Sequence, residues 1–192
     1  MNKRLLFLPM MLLLLAGCGG QENENGAEAQ AVAIRGEYMA MTSYSLQAQV
    51  NADYGQRVYD FTLSVTWDGE ETTVAIREPE MLAGVTARIT GDEGTLEYED
   101  LSLETGFLDD DGLSPVSALP ALMEAACSQY IDRCTLTDGI LEIHCANPEE
   151  KPGTGQEITL WFNAQTHALT GGEISQDGRR VIACEITEFT KT

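Results

Sequence analysis

The sequence predicts a mainly β protein of the α+β kind: a curved antiparallel sheet of about ten strands, an open half-barrel with helices plugging its concave face. Three observations predict it. Apolar and polar residues alternate with period two through most of the chain beyond Ser43. Turn residues separate the alternating runs. One central segment, LSPVSALPALMEAACSQY (Leu113 to Tyr130), instead places apolar residues at helical spacing.

Taken in order, Ala27 to Met41 suits a short helix, with Val32, Tyr38, Met39 and Met41 as its inward positions. Tyr44, Leu46, Ala48, Val50 and Ala52 then alternate with polar residues, as a half-buried strand requires. After a turn at Asp53 to Gln56, Tyr59, Phe61, Leu63, Val65 and Trp67 form a second strand. Asp68-Gly69 turns the chain into Thr72 to Arg77. Shorter strands follow through Val85 to Ile89, Thr95 to Tyr98 and Leu101 to Leu103.

The central helix has Ser114 as its cap and Pro115 at the first position, where a missing N–H costs nothing. Pro120 should shorten or kink it. Leu119, Leu122, Met123, Ala126 and Tyr130 make one apolar face. Beyond it, Asp138-Gly139 joins two strands in the strongest hairpin signal of the chain, and Asp177-Gly178 turns the last pair of a closing meander from Ile158 to Phe189. A meander with one apolar face must cover that face or curl. A helix with a single apolar stripe, inserted between two runs of strands, reads as a plug lying across the concave side.

The N-terminus places the protein. Lys3 and Arg4 precede the apolar run Leu5 to Leu15, too short to span a bilayer comfortably, and Leu15-Ala16-Gly17-Cys18 resembles a bacterial lipobox. Cleavage between Gly17 and Cys18 would leave Cys18 diacylated, a firm two-chain anchor. The expected organisation is signal peptide 1–17, lipidated cysteine and flexible spacer 18–28, and one domain 29–192. The protein is then expected on the extracytoplasmic face of the cell membrane, or of the outer membrane in a Gram-negative source, held by its diacylglyceryl cysteine.

Removing the signal takes two of 11 basic residues and none of the 31 acidic ones, giving a net charge of −22. Such a chain is repelled by nucleic acid, which excludes that class of partner. Of the five cysteines, Cys127, Cys134, Cys145 and Cys184 follow Cys18. Their spacing suggests no zinc site. Cys134 and Cys145 fall diagonal to one another across the Asp138-Gly139 hairpin and are the least strained candidates for a disulfide, should one form. The only histidines, His144 and His167, lack a nucleophile motif and read as surface residues on a polar strand face and in a turn. Asp109-Asp110-Asp111-Gly112 lacks the distal glutamate of a calcium loop. Nothing here argues for an enzyme, a metal or a cofactor.

Together the helix before the long hairpin, GLSPVSALPALMEA, and the closing ITLWFNAQTHALTGGEISQDGRRVIACEITEF resemble the LolA/LolB-like superfamily of envelope lipoprotein carriers over roughly Ala29 to Phe189. The resemblance implies a cavity between sheet and helices that accepts acyl chains or another apolar ligand. Its sheet side would be Tyr59, Phe61, Leu63 and Val65, its lid side Leu119, Leu122 and Met123. The carrier itself is unlipidated, and the lipidated acceptor has a protruding apolar loop without an equivalent here. Lipidated relatives that support a cell-wall amidase in spore germination look like nearer analogues. The resemblance therefore carries two expectations: an open apolar cavity, or a filled interior with an exposed strand that takes an envelope protein partner.

Overall fold

The computed structural model describes residues 21–91, 93–106 and 113–192. Gly17, Cys18 and the Asp109–Gly112 run lie outside them. A helix, α1 (Gln21–Met39), leads into β1 (Tyr44–Asp53), β2 (Val58–Trp67), β3 (Thr72–Glu78), β4 (Thr86–Thr90), β5 (Glu93–Tyr98) and β6 (Leu101–Gly106). A second helix, α2 (Pro115–Ser128), precedes β7 (Ile131–Thr137), β8 (Ile140–Ala146), β9 (Gln156–Asn163), β10 (Leu169–Gln176) and β11 (Arg179–Lys191). All eleven strands join one antiparallel sheet in the order β6-β5-β4-β3-β2-β1-β11-β10-β9-β8-β7. The sheet is curved and unclosed, with β6 and β7 as its edges, an open half-barrel with helices in its concavity.

The alternation read from the sequence sets the inner face. Tyr44, Leu46, Ala48, Val50 and Ala52 of β1 are all buried, and their neighbours between them are not. Register carries the face sideways. Leu46 lies opposite Val65, Val65 opposite Val74, Val74 opposite Ala87, Ala87 opposite Leu96 and Leu96 opposite Leu103. Asp138-Gly139 and Asp177-Gly178 both have positive φ at each residue, the type I′ geometry whose twist matches paired strands.

α2 is the plug. Ser114 accepts the amide N–H of Ser117 at 3.3 Å, and Ser117 Oγ reciprocally accepts that of Ser114, a capping box with Pro115 at the first helical position. Pro120 does not interrupt the helix, which runs unbroken to Ser128. Tyr130 lies beyond the helix end and is exposed, so the apolar face consists of Ala118, Leu119, Leu122, Met123, Ala125 and Ala126. The sheet makes room for it at one place: a Cβ on Gly172 of β10 would lie 2.9 Å from Leu122 Cδ1 and 3.0 Å from the Thr159 carbonyl. Glycine there lets the helix sit close to the strand.

α1 differs from its sequence reading in extent and in face. It begins at Gln21, inside the expected spacer, and its buried stripe is Ala27, Ala31, Ile34 and Tyr38. These follow at intervals of four, three and four residues, one side of a 3.6-residue helix. Val32 (69% exposed) and Met39 fall on the other side, and Met41 lies past the helix end. This stripe lays α1 over β7 and β8 and beside α2. Arg35 ties the two helices, donating to the carbonyls of Ala125 (3.2 Å) and Ala126 (3.4 Å) at the C-terminal end of α2, where cationic charge suits the helix dipole.

No helix among the described residues is long and apolar enough to cross a membrane.

Candidate functional site

The space between helices and sheet is mostly filled. Of the residues expected to line a cavity, Leu63, Val65, Leu119 and Leu122 are fully buried in a continuous core with Leu141, Leu160, Phe162 and Ile174. They form no accessible wall, because α2 lies directly on the strands above Gly172. Met123, Tyr59 and Phe61 have a different position. Among the described residues the concave face is open at two places, and these three residues belong to them.

The first opening lies at the C-terminal ends of both helices. A cavity of about 420 Å³ is lined by Tyr38, Met39 and Met41 of α1 and the turn after it, Tyr44, Trp67 and Thr72 of the strands, and Met123, Glu124, Cys127 and Ser128 of α2. Its walls are mainly methionine and aromatic, with Tyr44 and Trp67 rings 5.7 Å apart. Three thioethers give a lining that adapts to an apolar guest. Burial pushes the Tyr44 and Tyr38 hydroxyls well above the usual tyrosine range, so both stay neutral. The Cys127 thiol is likewise raised by burial.

Tyr38 fixes this end of the site. Its ring meets Phe162 edge-on at 5.3 Å and stacks on Phe189 at 5.7 Å, and its hydroxyl donates to the His167 carbonyl (3.1 Å) and accepts the Leu169 N–H (2.8 Å). Outside it, Glu37 bonds both His167 Nδ1 and Lys191 Nζ at 2.6 Å, which holds the Glu37 carboxyl below its ordinary range. Lys191 Nζ also lies 4.5 Å over the Tyr38 ring. His167 is therefore half-buried in this network, at a turn where it adopts positive φ.

The second opening is where the sheet outruns its helices. Tyr59 (40% exposed) and half-buried Phe61 form a ladder with Tyr54, ring centroids 6.5 and 6.1 Å apart, and the Tyr54 hydroxyl donates to the Leu113 carbonyl just before α2. On the rung that starts in the core at Leu46, exposure rises from zero at Ala87 to 64% at Leu103, with Leu101 at 74%.

Two further readings change. His144 is not a surface residue: it is buried on the outer face between Asp132 Oδ2 (3.4 Å) and Glu157 Oε2 (3.5 Å), and its Nδ1 has no partner at hydrogen-bonding geometry among the described residues. The carboxylates of its neighbours close over the ring, which strand alternation alone does not reveal. Cys134 and Cys145 do stand diagonal on one face, Cys134 opposite Ile143 and Cys145 opposite Ile131, but all four described cysteines are free. A diagonal separation of about 7–8 Å exceeds the span of a disulfide. Trp161, outside the concavity, donates to Glu142 at 3.1 Å. Sequence reasoning missed Tyr38's partners, Trp67, Thr72 and Cys127 as a site, since nothing local shows that α1 and α2 end at the same place.

No protein-family model and no curated protein matches the chain. Solved structures do. An uncharacterized conserved protein from Thermus thermophilus is 11% identical, with 86% of this chain and 88% of that one covered, at a TM-score of 0.50. LolA superfamily protein NE2245 from Nitrosomonas europaea is 13% identical over 88% and 93% of the two chains, at a TM-score of 0.43. A chain in the structure of the Clostridioides difficile CwlD amidase in complex with the GerS lipoprotein is 15% identical over 94% and 96%, at 0.41. The likeness is one of fold alone: an open antiparallel half-barrel with helices in its concavity.

Proposed function

We propose that this protein is a non-catalytic lipoprotein of the bacterial envelope, anchored through Cys18 on the extracytoplasmic face of its membrane, that binds an acyl chain or another apolar ligand between helices and sheet. The methionine- and aromatic-lined cavity at the ends of α1 and α2 carries this reading. Its volume lies within the range of ordinary small-molecule sites, its walls are apolar, and Glu124, Thr72 and Ser128 at its border suit a polar head left outside. The buried state of Leu63, Val65, Leu119 and Leu122 argues for one chain held at the end of the plug rather than several beneath it.

Native mass spectrometry of residues 19–192, exported and purified without detergent, tests the proposal. A bound mass of fatty-acid or phospholipid size is expected, and Met123→Trp should remove it by filling the cavity while circular dichroism stays unchanged. A ligand-free mass for the unaltered chain would end this reading.

A further inference from the structure

The β6 edge combines three properties that the proposed ligand site does not use. Its backbone edge is bare, for among the described strands β6 is the last of the sheet and pairs only with β5. The two-residue turn Glu99-Asp100 makes Tyr98–Leu101 and Leu96–Leu103 the hydrogen-bonded pairs, so Ser102 and Glu104 direct their N–H and C=O groups away from the sheet. Its inner side carries Leu101 and Leu103, both exposed, with half-exposed Tyr98 beside them. Around it the charge is one-sided: Glu93 to Gly106 contains five carboxylates and no basic residue, and of these only Glu97 has an ion pair among the described residues, with Arg88.

We infer that β6 receives an extended segment of another protein as a twelfth strand, one that alternates apolar residues with lysine or arginine. The backbone edge supplies the ladder, Leu101 and Leu103 take the apolar side chains on the concave face, and Glu104 with the Glu99-Asp100 turn receives the cationic ones. A second copy of this chain is the poorer occupant. Antiparallel self-pairing of β6 would bring Glu104 and Asp100 of the two copies together, and each chain already carries a net charge of −20. Isolated exposed edges with apolar side chains aggregate unless charge or cover protects them. Here the carboxylates turn away like-charged strands and admit basic ones.

The test titrates the labelled peptide KVKVKVK into the purified full-length chain at physiological ionic strength and reads anisotropy, with EVEVEVE as counterpart. KVKVKVK should bind and EVEVEVE should not. Ser102→Pro removes an outward N–H without touching the ladder to β5 and should weaken binding about tenfold or more, whereas Ser102→Ala should not. Hydrogen exchange on the unaltered chain supplies a readout that needs no variant: the Ser102 and Glu104 amides should become protected when the peptide binds. Equal binding by Ser102→Pro in a folded state, or protection elsewhere only, would show attraction by overall charge and overturn the proposal. So would a dimer in sedimentation that Ser102→Pro converts to monomer, because the edge would then belong to a second copy.

Discussion

The two edges of this sheet have the same kind of strand and opposite surroundings. At β7, α1 lies over the strand pair β7–β8 with its stripe Ala27, Ala31 and Ile34 buried, and Gln30 donates from its side chain to the Ala164 carbonyl. At β6, no described helix covers the strand, and Leu103, which shares a rung with Leu46 and Val65, is left in water beside Leu101. One rung therefore runs from closed core to open surface in a few strands. Burying a leucine contributes about 1.5–3 kcal/mol. A chain that exposes two of them at a strand edge forgoes that stabilisation, and a binding role is the physical account that uses it.

The comparison is most sharply tested by substitution on both sides. Leu119→Ala, beneath the plug, is expected to cost ~2–5 kcal/mol in urea unfolding, because a fully packed site cannot collapse around the lost atoms. Leu103→Ala should stay within ~0.5 kcal/mol, as an exposed side chain loses little. Similar costs for both would mean that β6 is covered in solution. Gly172→Ala should cost ~1–3 kcal/mol, since its Cβ would be driven into Leu122 and the Thr159 carbonyl. A neutral result would show that α2 can lift from the sheet, which would reopen the interior to ligand.

Smaller effects report on the same contrast. Native-state hydrogen exchange should find the β8 and β9 amides most protected and those of β6 least, because local opening follows buried contact. Thiol alkylation at mildly alkaline pH should modify Cys134 and Cys127 long before Cys184, whose thiol burial pushes up to about 12. Early labelling of Cys184 would show the closed half breathing. Glu37→Gln should cost at most about 1 kcal/mol, as the Lys191 ion pair it loses is partly exposed and screened by water. The sign follows from the lowered folded pKa of Glu37: its contribution is complete above the ordinary carboxylate value and is lost as pH falls through the folded one. The difference between the two proteins should therefore vanish in acid.

Much of this was legible in the chain itself. Alternation in Tyr44–Ala52 and Tyr59–Trp67 set which side of each strand faces inward, the Asp-Gly pairs set two hairpins, and Ser114-Pro115 set where α2 starts. These are local properties: a period, a cap and a turn depend on near neighbours, and side-chain chemistry is enough to read them. Which of the residues expected around a cavity would meet open space was not legible, because that is not a local property. Apolar residues at Leu63, Leu119 and Met123 look alike in sequence, yet only Met123 borders open space, because that depends on where the helix ends relative to Trp67 and Thr72.

The sequence by itself determined the antiparallel strands, the plug helix and the acidic character, since each follows from residue type and spacing. Tertiary structure alone decided which half of the concavity is closed, which face of α1 is buried, that His144 lies between two carboxylates, and that β6 has no outer neighbour among the described strands. Those facts rest on the reach of two helices across an eleven-stranded sheet. Two helices cover only part of so broad a surface, and which part depends on contacts between residues far apart in the chain, such as Tyr38 with Phe162 and Leu122 above Gly172.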